Sequence, residues 1–170
     1  MSRMLRRFRF QLVIAILLST LTAPTVSAAT VSTSYDIHGY EYYATSTQAR
    51  FAGTATGSSG DSGTWNAVID HTPLTTSATI TGGYADLVTS NLVRIHGLFA
   101  SGSATFVRQE DGCGTQTYNV VGTLKKVTRS DSHRRGTGTF EATLTHYRTS
   151  VLGRCIVYSA SVDGVITLSF

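Results

Sequence analysis

Histidines, cysteines and tyrosines are the side chains in this 170-residue sequence whose chemistry calls for explanation. The five histidines (His38, His71, His96, His133 and His146) are scattered, with no pair at metal-ligand spacing. No metal, cofactor or catalytic residue is therefore assigned. His146 differs from the rest because it continues a run in which Phe140, Ala142 and Leu144 alternate with polar residues, so it points toward an interior. An inward imidazole is either a satisfied rim residue or a ligand contact. Tyr118 and Tyr158 also fall on otherwise apolar faces. Tyr118, His146 and Tyr158 are the candidate ligand-binding residues. His38 and Glu41, three apart, fall on opposite faces of a strand.

The two cysteines, Cys113 and Cys155, are too far apart in sequence for a C-x-x-C redox or zinc motif. A structural disulfide closing 43 residues is expected instead. "GDSG" (60–63) looks like the nucleophile motif of chymotrypsin-type serine proteases, but those place a whole barrel carrying the His and Asp ahead of the serine. No such stretch precedes Ser62, so the segment reads as a Gly/Ser loop. Lys125, Lys126, Arg129, Arg134 and Arg135 gather around one turn without interleaved aromatics, which reads as a solvated tip. "YDIHGYEYY" (35–43) offers either a tyrosine platform for sugars or packing residues.

These residues must be positioned by strands. Threonine, valine, isoleucine and tyrosine dominate after Thr30, and Gly/Ser clusters interrupt about every ten residues, the pattern of an all-β domain. Trp65, Ala67 and Ile69 share a face, as do Phe140, Ala142 and Leu144, and as do Ile156, Tyr158, Ala160 and Val162. Asp163-Gly164 between alternating runs is a hairpin signal. "GSSGDSG" (57–63), "EDGCG" (110–114), "SDSHRRG" (130–136) and "SVLGR" (150–154) read as longer loops. Strands beginning after Thr115, Thr137 and Cys155 then run up, down and up, which brings Cys113 and Cys155 to one end of the sheet, within disulfide reach. A single antiparallel barrel of roughly eight to ten strands is expected, with a β-sandwich as the alternative.

Composition bounds the setting. Arg3, Arg6, Arg7 and Arg9, an apolar run from Leu12 to Leu21 and small residues up to Ala28 make residues 1–28 a secretory signal peptide, with the export route open. Residues 29–170 then form one domain. The signal takes four of fourteen Lys and Arg and none of ten Asp and Glu, so the remaining charges balance. Nucleic acid is therefore not an expected partner. No stable membrane span is expected, and the sequence does not fix an oligomeric state.

"SATITGGYADL" (77–87) followed by "HGLFASGSATF" (96–106) resembles the Gly-rich hairpins of allene oxide cyclase and dirigent-type barrels. That resemblance implies a small antiparallel barrel with an interior cavity and carries no residue roles across. The expected function is a secreted, non-catalytic barrel that binds a small apolar or carbohydrate ligand or acts at the cell surface. One alternative is a cyclase- or isomerase-type enzyme working inside the barrel. The other is a small outer-membrane barrel, since "VITLSF" resembles the terminal strand of that class.

Overall fold

A computed structural model describes residues 30–170. The signal-peptide assignment falls on residues 1–28 and lies outside the described residues.

Eight strands follow one another as an antiparallel meander: β1 (Ser32–Ala44), β2 (Gln48–Gly57), β3 (Ser62–His71), β4 (Ser77–Thr89), β5 (Arg94–Gln109), β6 (Gln116–Arg129), β7 (Arg135–Val151) and β8 (Arg154–Ser169). β8 pairs back onto β1, closing a barrel. Closure leaves no strand along the body of the sheet with a free edge, which a β domain with few guarding charges needs. The sandwich alternative is excluded by the β1–β8 ladder.

Two-residue periodicity sets inside from outside. Trp65 and Ala67 on β3 and Phe140, Ala142 and Leu144 on β7 are buried, while Asn66, Glu141 and Thr143 between them face water. Around the outside the register lines Ser101, Thr123, Thr139, Thr167 and Ser34 into one circumferential row. Hydroxyl pairs join Ser101 to Thr123 at 2.9 Å and Ser34 to Thr167 at 3.1 Å. Such cross-strand pairs stabilise a wet face and account for the threonine excess.

Two turn expectations are corrected. Asp163-Gly164 is not a hairpin: both residues lie inside β8, which runs unbroken from Arg154 to Ser169. Gly164 is there because its backbone runs close to β7, where a Cβ would lie 2.6 Å from Ala142 and would strike the Glu141 carbonyl. Asp163 instead accepts across the β1–β8 seam, 2.7 Å from Nδ1 of His38. That continuity fixes the strand number at eight. The segment 150–154 is tighter than a long loop: Leu152 (φ 52°) and Gly153 (φ 73°) form a two-residue turn with both φ positive, which suits the twist of a hairpin.

The disulfide forms as expected. Cys113, in the β5–β6 connection, and Cys155, at the start of β8, have Cα atoms 5.3 Å apart at one end of the barrel. A disulfide belongs to oxidising compartments.

Candidate functional site

The barrel is packed at one end and hollow at the other. Where β1 begins and β8 ends, Tyr35, Leu87, Ile95, Val127 and Leu168 are buried and fill the cross-section. From mid-barrel to the disulfide end there is a cavity of about 380 Å³. Its origin is readable in side-chain size. Seven lining residues are alanines, among them Ala49, Ala67, Ala104 and Ala142, set between the larger Phe51, Trp65, Phe99 and Phe140. Methyl groups at positions where a leucine would reach the axis leave the axis empty. The volume is that of about a dozen waters and falls in the range of small-molecule sites.

Polar groups collect at the mouth. Glu41, Gln116, Tyr118, His146, Thr45, Ser46 and His71 line that end, and the β3–β4 connection brings Pro73 and Leu74 over it. Glu41 is inward because it keeps phase with Tyr35 and Ile37 on β1; it sits opposite buried Phe51. His146 is inward on β7, opposite buried Ala160. The two side chains, 9% and 13% exposed, face each other with Glu41 Oε2 3.5 Å from His146 Nε2. That separation allows attraction but is not a hydrogen bond, and Nε2 is a buried polar atom without a hydrogen-bond partner. The Tyr118 ring lies 5.3 Å from the imidazole, and its hydroxyl donates to Gln116 Oε1 at 3.3 Å.

Beside this pair the barrel wall opens. The β1–β8 ladder ends at Tyr40↔Ser161, whereas β8 remains paired to β7 as far as Val151↔Arg154. The end of the β7–β8 hairpin is thus held on one side only. The disulfide and an Arg148 Nε donation to the Gly114 carbonyl (2.9 Å) tie it to the β5–β6 connection.

Of the three residues singled out from sequence, Tyr118 and His146 come together on the cavity. Tyr158 does not join them: it is 66% exposed. The β7–β8 register shifts between Tyr147↔Ser159 and Arg148↔Val157, leaving Tyr158 as the extra residue of a β-bulge. The bulge inverts the alternation, so Val157 lines the cavity in place of Tyr158. Sequence reasoning missed Glu41 and Gln116. For Glu41 the signal was present, an acid in phase with Tyr35 and Ile37. On β1, Tyr40, Tyr42 and Tyr43 are exposed. Tyr40 and Tyr42 meet at 65° and Arg50 covers the Tyr43 ring, so these rings form no coplanar platform. Among the described residues, no three His, Cys, Asp or Glu side chains are grouped to hold a metal ion.

Burial pushes the Tyr118 hydroxyl above the ordinary tyrosine pKa, with Arg148 opposing. Tyr35, at the packed end, is raised by burial and then by Asp61, whose Oδ2 accepts its hydroxyl at 3.3 Å. The folded protein therefore holds these two protons longer than the unfolded chain does. Their contribution is complete below the ordinary tyrosine pKa and is lost as pH rises through the folded values. The urea midpoint is expected to fall as pH rises past the ordinary tyrosine pKa of about 10, and to fall less in the Tyr35→Phe/Tyr118→Phe variant. An equal alkaline loss in both proteins would assign it elsewhere.

No family model, no curated protein and no solved structure matches this chain.

Proposed function

We propose that this protein binds one small, mainly apolar molecule inside its barrel. The observation that carries this is the hollow half of the interior: an apolar chamber with its polar groups confined to one mouth, the usual form of a small-molecule site. A carbohydrate fits less well, since a sugar's many hydroxyls need more partners than the mouth supplies. The expected setting outside the cytoplasm rests on the arginine-led N-terminal segment and is supported by the disulfide. A membrane-spanning barrel is disfavoured by the distribution of residues, apolar inside and hydroxyl-rich outside, the reverse of that class. Recovery in the aqueous fraction without detergent tests this. The glycine spacing shared with allene oxide cyclase and dirigent barrels is consistent with a barrel that holds a ligand.

The binding test uses the neutral dye N-phenyl-1-naphthylamine. Saturable one-to-one binding is expected, and Ala67→Phe, which puts a ring into the chamber, should weaken it at least tenfold, a difference of about 1.4 kcal/mol. The Ala67→Phe protein should still unfold cooperatively. Dye binding that never saturates, or that ignores Ala67→Phe, would remove the cavity as its site.

A second reading, an isomerase- or cyclase-type enzyme, is favoured by the Glu41–His146 pair, since a carboxylate and an imidazole facing a cavity are the parts of acid–base catalysis. Turnover of a bound ligand that survives His146→Ala unchanged would count against it.

A further inference from the structure

We infer that the molecule held in this cavity carries a hydroxyl group, and that Glu41 and His146 together select it. The inference rests on the cavity being a ligand site and adds the chemistry of the ligand's polar end. Glu41 Oε2 and His146 Nε2 are 3.5 Å apart, both at the mouth of an apolar chamber, and Nε2 is buried without a hydrogen-bond partner. A buried donor or acceptor left unpaired is costly, so a bound molecule that pairs with Nε2 is favoured over one that does not.

The two groups ask for different things. An ionised carboxylate only accepts hydrogen bonds. Nε2 faces that carboxylate, which favours the tautomer with its hydrogen there, and so it donates. A group satisfying both must accept from one and donate to the other. A hydroxyl does this with a single atom: its oxygen accepts from Nε2–H while its hydrogen goes to Oε2. Hydrogen bonds of about 2.7–2.9 Å to each place that oxygen at the apex of a triangle on the 3.5 Å base. A ketone accepts only and leaves the carboxylate unmet, a protonated amine donates only and leaves Nε2–H unmet, and a hydrocarbon meets neither. A ligand that fills this corner without pairing its donor and acceptor loses affinity. The neighbours keep the corner fixed: the Tyr118 ring stands 5.3 Å from the imidazole, and its own hydroxyl is engaged by Gln116. Glu41 and His146 lie where the β1–β8 ladder has ended, so the hydroxyl end faces the opening and the apolar body faces Trp65 and Phe140.

Three molecules of nearly the same shape test this: borneol (an alcohol), camphor (its ketone) and bornane (the parent hydrocarbon). Trp65, the single tryptophan, lines the cavity and is 5% exposed, so its fluorescence reports occupancy directly. Borneol should bind roughly ten- to a hundredfold more tightly than camphor or bornane, the span expected for hydrogen bonds to a charged group. In Glu41→Met that preference should disappear while bornane still binds. The three-ligand comparison in the unaltered protein stands even if the variant fails to fold. Equal affinities for all three, or a preference that survives Glu41→Met, would overturn the hydroxyl inference and leave the ligand cavity intact. Failure of all three to change Trp65 emission or to raise the unfolding midpoint would overturn both.

Discussion

Replacing both cysteines, Cys113→Ser/Cys155→Ser, is expected to cost about 4 kcal/mol of folding stability and to lower the melting temperature by roughly 10 °C or more. The bridge spans 42 positions in sequence and encloses β6 and β7 entirely. It therefore removes a large share of the unfolded chain's freedom. Its second effect is local. The end of the β7–β8 hairpin lacks a β1 neighbour, and its ties are the sulfur bridge and the Arg148–Gly114 hydrogen bond. Amide exchange along 151–158 should quicken more in the variant than exchange along Phe140–Leu144, which is paired on both sides. Urea unfolding with and without reductant measures the first effect, and exchange mass spectrometry the second. A variant within about 0.5 kcal/mol of the parent would show that the bridge adds little to a barrel already closed by backbone pairing.

Phe140→Ala should cost about 3–5 kcal/mol. Phe140 is 6% exposed and presents its ring edge-on to Phe99, with centroids 5.1 Å apart. It also covers Gly122 on β6, where a Cβ would stand 2.5 Å from the Phe140 ring. Glycine at 122 and phenylalanine at 140 are thus one packing decision: the missing side chain makes the space that the ring occupies. Because Phe140 borders space that is already open, its neighbours have little to collapse onto, and truncation should enlarge the cavity by most of the ring's volume. Urea unfolding reads the stability loss. The same variant should accept bulkier ligands than the parent, which the dye titration reads. A cost under about 1 kcal/mol would mean that the cavity wall relaxes inward.

What the amino-acid order determined by itself is what depends on near neighbours along the chain. Alternation at Trp65, Ala67 and Ile69, and at Phe140, Ala142, Leu144 and His146, declares which side of a strand is dry, because successive side chains point to opposite faces. The meander of the last three strands follows from that alternation and from the turns between them, and it brought Cys113 and Cys155 to the same end. Tertiary structure decided what depends on residues distant in sequence. Whether Asp163-Gly164 turns the chain or lets two strands approach is settled by Ala142 and His38, neither of them adjacent to it. The bulge at Tyr158 reverses the phase of everything before it in β8, which no local pattern announces. Glu41 meets His146 only because β8 closes onto β1 and brings the first and seventh strands to either side of one mouth. The hollow interior is the most collective outcome. It is a sum of inward side-chain volumes over all eight strands, and that sum comes up short where alanines from several of them face the same axis.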